Sequence, residues 1–309
     1  LFITEESTAP YCSIHAGKMH ACGHDGHSAM LLGAAAHLAK TRNFDGTVHF
    51  IFQPDEEHGA GAQAMIDDGL FERFAIDEVY GLHNMPGLAE GTFTVRPGSL
   101  MASESSFEIR IKGIGGHAAM PHRGVDPIMV GSQIIMALQT ITSRNLSAVE
   151  ETAVVSATEF ITNGTVNVIP SEVTIKGDCR CFTDVSLNKI KTAMERIVAG
   201  TCQAAGASYE FSFKNTFHST INNPDQTTKA IKAAQAVFGP ENVVPDCVPL
   251  TISEDFSSML RVKPGCYALI GNGTGTVGGC ALHNPKYDFN DRILSKGAEY
   301  WVQLVEDIL

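Results

Sequence analysis

The sequence is poor in positive charge. Lys and Arg total 22 against 34 Asp and Glu in 309 residues, a formal net charge of −12. Nucleic-acid binding and docking on an anionic membrane both draw on clustered Lys and Arg, so this balance argues against either. Long apolar runs are also missing: none approaches the roughly 18 uncharged residues of a membrane-spanning helix. No Cys-x-x-Cys pair occurs among the eight cysteines. In a chain this long they are not read as a disulfide framework but as small reduced thiols of a cytoplasmic protein. There is no Gly-x-Ser-x-Gly turn for a serine nucleophile. Gly271-Asn-Gly-Thr-Gly275 follows a strand pattern, but no third glycine opens a helix and no P-loop lysine is present.

Apolar residues make up 44% and charged residues 18%, an ordinary globular balance at a length sufficient for two domains. The first third alternates helix and strand signals. Residues 28–40 read as a helix with Ser28 as a possible N-cap, 47–53 as a β-branched and aromatic strand, 60–70 as a helix and 77–82 as a strand. Such units imply parallel strands with right-handed crossovers. Near residue 100 the pattern changes. Residues 105–112 alternate Phe107, Ile109 and Ile111 with Glu108, Arg110 and Lys112, the mark of a strand with one wet face. Asp126-Pro127 opens a helix, strands follow at about 152–160 and 172–182, then a helix at 184–205 and a strand at 208–214. This βαββαβ order predicts a ferredoxin-like α+β module inserted into an α/β domain. The α/β pattern resumes with helices near 225–238 and 254–261, a strand at 266–270 and a last helix at 291–308. The expected division is 1–102 with 216–309 for one domain, and 103–215 for the other.

Histidine is clustered, with four between His15 and His27. His20-Ala-Cys-Gly-His-Asp-Gly-His27 precedes a helix, Asp55-Glu-Glu-His58 follows the 47–53 segment, and His83-Asn84 follows 77–82. Leu282-His-Asn-Pro285 follows the 266–270 strand. In open α/β sheets, ligands gather beyond the carboxyl ends of strands, where distant segments converge. Imidazole, thiolate and carboxylate are the protein ligands of zinc and its neighbours. Cys22 and His24, two apart, project alike from an extended loop. Glu56 and Glu57, adjacent, diverge, so that one can bind metal while the other handles a proton. His15, His37, His49, His58 and His218 read as structural or surface residues. A rival reading is a Cys22 nucleophile ahead of a helix N-terminus, with His24 or His27 as its base.

Together with Gln53-Pro-Asp-Glu-Glu57, Gly81-Leu-His-Asn84, Gly116-His-Ala-Ala-Met-Pro-His122, Asn167-Val-Ile-Pro170 and Ser253-Glu-Asp-Phe256, these motifs resemble the M20 metallopeptidase family. Within it, they look like the amidohydrolase branch of hippurate hydrolases and N-acyl-amino-acid deacylases, and the likeness runs over the whole chain. The resemblance implies a metallohydrolase catalytic domain built on a mostly parallel sheet, with an inserted lid domain that mediates homodimerisation. It implies two divalent metals, zinc or manganese with cobalt or nickel as alternatives. Cys22, His24, Glu57, His83 and His283 match the metal-ligand positions, with Cys22 bridging, and Glu56 matches the general base. His117 matches a lid histidine that holds the substrate carboxylate or the developing oxyanion. Asn167 and Arg180 match substrate contacts, and Asp25 matches a residue that orients a ligand. The implied activity is hydrolysis of N-acyl amino acids. The alternatives are a dipeptidase or carboxypeptidase of the same family, or an inactive metal-binding remnant. The family has roughly ninety further residues before the position matched by Leu1, a figure taken from the resemblance and consistent with a catalytic sheet that reads as incomplete. Phe2 stands where Pro is usual.

Overall fold

The computed structural model describes all 309 residues. They divide into two compact units: Leu1–Leu100 with Ile221–Pro249 and Asp255–Leu309, and Met101–Thr220 with Leu250–Glu254. The short segment Leu250–Glu254 groups with the second unit, which no composition signal announces. No helix is long and apolar enough to cross a membrane.

The first unit is α/β. Its sheet runs in the order Val79–Pro86, Gly265–Gly273, Phe93–Thr94, Val243–Val244. It is mixed: the first and last pairings are parallel and the central one is antiparallel. Every residue of Gly265–Gly273 is buried. A strand covered on both faces reads as a continuous apolar run, as Cys266–Ile270 does. Its covering comes from Ala230, Ala233 and Ala234 of the helix Pro224–Phe238 and from Tyr300 and Leu304 of the helix Leu294–Ile308.

Two expectations fail here. Residues 47–53 make no ladder. Their β-branched and aromatic side chains suit a strand, but a strand exists only where a neighbour supplies hydrogen bonds, and none does so here. The first helix spans His24–Thr41, so it starts four residues before Ser28. Ser28 lies inside it and donates its hydroxyl to the His24 carbonyl at 3.0 Å.

The second unit carries an antiparallel sheet in the order Ala153–Thr162, Glu172–Cys181, Ser103–Lys112, Ser208–Phe217. The helices Pro127–Thr140 and Asp184–Ala205 share one core with the inward residues of the sheet. Val130, Ile134 and Leu138 meet Ile190, Met194 and Val198 over Phe107, Ile109, Ile111 and Ile175. Asp126 caps the first helix by accepting from the Ile128 N–H at 2.9 Å, and Thr183 caps the second through the Ser186 N–H at 3.1 Å.

Candidate metal centre

The segment that carries Cys22 and His24 turns instead of extending. Gly23 takes φ +90° and ψ +10°, values that glycine adopts without strain, and the helix begins at the next residue. A Cβ on Gly23 would lie 2.2 Å from Asn84 Oδ1 and 2.6 Å from the Tyr287 hydroxyl. This close approach packs Cys22 and His24 against the strand that holds His83 and Asn84, so the turn, and not extended alternation, brings the two side chains together.

Glu56 and Glu57 occupy one 3₁₀ turn, Glu56–His58, entered through Asp55 at φ +51°. They do not diverge. Glu56 Oε2 lies 3.7 Å from His24 Nε2, and Glu57 Oε1 lies 3.9 Å from His24 Nδ1. His283 comes from the loop after Gly265–Gly273. Its N–H donates to the Ala21 carbonyl at 2.8 Å, which sets it beside Cys22, and its Nε2 is 3.4 Å from Glu57 Oε2. Cys22 Sγ is 3.5 Å from His83 Nε2. The candidate donors form triads whose atoms lie within 4.8 Å of one another: Cys22–His24–His83, Cys22–Glu57–His283 and His24–Glu56–Glu57. Two of the three share Cys22. An open cavity of about 1010 Å³ is lined by His20, His24, Asp25, Glu56 and Glu57.

The residues fit a divalent ion. Ligands held tetrahedrally at about 2.0–2.3 Å lie roughly 3.3–3.8 Å from one another, and the Cys22–His83 and Glu57–His283 separations fall in that range. His24 Nε2 and Glu57 Oε1 are buried without a hydrogen-bond partner. A buried polar atom left unsatisfied costs about 1–3 kcal/mol, and a cation between the two relieves both. Burial pushes His83 down to about 3, with the nearby His24 adding to it. Burial likewise lowers His24, assisted by His20 and His283 and opposed by Glu57. The His83 Nδ1–H donates to the Asn84 carbonyl, which leaves the Nε2 lone pair facing Cys22. Neutral imidazoles of fixed tautomer are the metal-binding form.

Five of the expected residues, Cys22, His24, Glu57, His83 and His283, therefore converge with Glu56 in the first unit. Asp25 is exposed in the first helical turn, and its charge favours the protonated form of His24. The carbonyl of Asn84 orients His83 by a hydrogen bond. His117, Asn167 and Arg180 belong to the second unit. His117 lies on the ladder of Gly116–His117 with Val168–Ile169, and its Nδ1 accepts from the Ala119 N–H at 3.1 Å. The Asn167 carbonyl accepts from the Ala118 N–H at 3.0 Å. The Arg180 guanidinium is engaged by Asp178, Glu104 and the Ser253 hydroxyl, each at 2.8 Å.

Three contributors were not expected. His27 Nε2 lies 2.7 Å from Asn84 Oδ1, and Asn84 Nδ2 donates to the Tyr287 hydroxyl at 2.8 Å. Burial and the neighbouring His83 and His24 hold His27 well below its usual range. The signal for His27 was its i,i+3 spacing from His24, which places both rings on one helix face, 5.5 Å apart. Asn84 and Tyr287 carry no such signal.

The sequence signature of peptidase family M20/M25/M40 matches residues 1–307. The chain is 38% identical to the hippurate hydrolase of Campylobacter jejuni over 302 residues, covering 98% of this chain and 77% of that one. It is 38% identical to the N-acetyl-L-cysteine deacetylase of Bacillus subtilis over 313 residues, covering 99% and 72%. Among solved structures, it is similar to the YxeP protein of Bacillus subtilis, a dinuclear metal-binding M20 peptidase. The TM-score there is 0.85 at 32% identity, over 100% of this chain and 78% of the other. With a thiol, imidazoles and carboxyl groups gathered as such a hydrolase requires, the chain belongs to the M20 family of metallopeptidases, in its amidohydrolase branch, and is a metal-dependent amide hydrolase.

Proposed function

We propose that the protein hydrolyses the amide bond of N-acyl amino acids that carry a free α-carboxylate, with two divalent ions held by Cys22, His24, Glu57, His83 and His283. The observation that carries this reading is the pair of triads sharing Cys22, beside the unpartnered His24 Nε2 and Glu57 Oε1. The likeness to a hippurate hydrolase and an N-acetyl-L-cysteine deacetylase supports the substrate class.

When bound, the ions supply Lewis acidity and a water of lowered pKa. Zinc suits the thiolate and imidazoles, manganese suits the carboxylates, and cobalt or nickel can substitute. Glu56 stands outside both triads that contain Cys22. It takes the proton of the attacking water and delivers it to the leaving amine. Asn84 holds the His83 ring through its carbonyl. For His117 we propose the holding of the substrate carboxylate or the developing oxyanion, with Asn167, on the segment paired with that of His117, contacting substrate. Arg180 is committed to Asp178, Glu104 and Ser253, so we assign it the anchoring of Leu250–Glu254 and not a substrate contact.

We read the second unit as a ferredoxin-like lid and as the site of homodimerisation. Its βαββαβ order and the position of Ala153–Thr162 at the sheet's edge support this. The free cysteines support a reducing, cytoplasmic setting.

The test is metal analysis of the purified protein coupled to a panel of acyl amino acids and dipeptides. Glu56→Gln is expected to retain metal and lose at least about 100-fold in kcat. Full activity in that variant refutes the role of Glu56, and cleavage of dipeptides alone moves the protein to the peptidases of its family.

A further inference from the structure

The motif Ser253-Glu-Asp-Phe256 takes no part in the reaction above, yet its Asp255 is 1% exposed. Asp255 lies in the first unit, with the glutamate turn. Its Oδ1 accepts from Gln53 Nε2 at 2.5 Å, and its Oδ2 accepts from the Ala62 N–H at 2.9 Å. Gln53 immediately precedes the loop of residues 54–61, and Ala62 immediately follows it. That loop carries Glu56 and Glu57, so one carboxylate ties both of its ends. The ends also touch: a Cβ on Gly61 would fall 1.5 Å from the Pro54 carbonyl oxygen, so only glycine closes the neck.

Residues 47–55 lie outside any helix or strand. Inside the loop, the Gly59 N–H donates to the Glu56 carbonyl at 2.7 Å, and His58 pairs with Asp55 on the exposed side. These contacts shape the turn, and the side chains of Glu56 and Glu57 meet His24 and His283 at 3.4–3.9 Å. Asp255 ties the loop at its neck, and a carboxylate oxygen of Asp255 comes within 4.8 Å of one on Glu56. One carboxyl group that accepts from two N–H donors couples the two, and burial strengthens each hydrogen bond.

We propose that Asp255 is a positioning residue. By holding Gln53 and Ala62 together, it sets Glu56 and Glu57 against His24. This rests on the reading of the cluster as a metal-dependent hydrolase centre and assigns that centre a support from a distant segment of the chain.

Asp255→Asn preserves shape but puts an amide NH₂ in place of one acceptor oxygen, so the tie to Gln53 survives only if its amide turns over to accept. Gln53→Ala removes one donor and leaves Ala62 in place. In the metal-loaded protein, Asp255→Asn is expected to weaken zinc binding about 10- to 100-fold, read by competition with a fluorescent chelator. It is also expected to lower kcat about tenfold or more while KM stays within about threefold. Gln53→Ala shifts both in the same direction by a smaller factor, and the double variant costs at least as much as Asp255→Asn alone. A residue that only stabilises the fold lowers the melting temperature but leaves zinc affinity and kcat of the folded protein unchanged. That outcome overturns the proposal, and the milder Gln53→Ala keeps it testable if Asp255→Asn unfolds. A parent protein that binds no zinc overturns the reading of the centre together with this inference. Unchanged zinc affinity and kcat in both Asp255→Asn and Gln53→Ala on a zinc-binding parent overturn the positioning role alone.

Discussion

Gly23→Ala puts the origin of the metal centre to a quantitative test. The backbone there is left-handed, which costs an L-residue about 1–2 kcal/mol. The added methyl meets Asn84 Oδ1 at 2.2 Å and the Tyr287 hydroxyl at 2.6 Å. Asn84 is 0% and Tyr287 3% exposed, and the two are hydrogen-bonded to each other, so neither withdraws alone. Overpacking of that kind costs about 1–3 kcal/mol. The two effects together destabilise the first unit by about 2–5 kcal/mol, a fall in melting temperature on the order of 10 °C. The only tryptophan, Trp301, lies in the helix Leu294–Ile308 of that unit, so its fluorescence in urea reads the change directly. Displacing Asn84 also shifts the carbonyl that holds His83, so metal affinity falls in parallel by about 10- to 100-fold. A variant within roughly 0.5 kcal/mol of the parent, the range of a neutral surface change, with metal content intact, refutes the claim that this turn builds the centre.

Chelation is expected to abolish hydrolysis, and zinc, manganese, cobalt or nickel to restore it. Inactivation of the metal-free protein by iodoacetamide, with chelators without effect, establishes a Cys22 nucleophile instead. The metal-free protein is expected to lose stability on acidification. His83 titrates near 6.5 when unfolded and is pushed down to about 3 when folded, so the unfolded chain binds the extra proton throughout that window. Stability then rises with pH from about 3 to 6.5, and going from pH 7 to pH 5 costs about 2 kcal/mol from His83 alone. Urea midpoints that do not move between those two pH values contradict the burial of a neutral His83.

The second unit was the more legible part of the fold because its signals are periodic. Phe107, Ile109 and Ile111 alternate with Glu108, Arg110 and Lys112, and the first three are 0–2% exposed. Asp126-Pro127 named a helix start, and Asp126 makes the cap. In the first unit, composition misled in two places for one reason. Thr47 to Gln53 has the side chains of a strand but no partner, and Ser28 has the hydroxyl of a cap but lies inside a helix already begun at a glycine turn. Both features depend on what lies opposite in space, which local sequence does not carry.

The candidate centre divides along the same line. Its chemistry was legible because thiol and imidazole are rare enough to stand out when they recur with carboxylates at the ends of apolar segments. Its geometry was not, because the donors sit on turns whose shapes are set from elsewhere. Gly23 is held left-handed against Asn84 and Tyr287, and Asp55 enters the glutamate turn with positive φ. The neck of that turn is tied by Asp255, 193 residues beyond Ala62. Adjacent glutamates therefore converge on one histidine where extended backbone would have spread them. The ligands name the reaction class, whereas His27, Asn84, Tyr287 and Asp255 determine where those ligands stand. A polar residue that acts by holding another is no different in sequence from one that faces water, and only its partners reveal it.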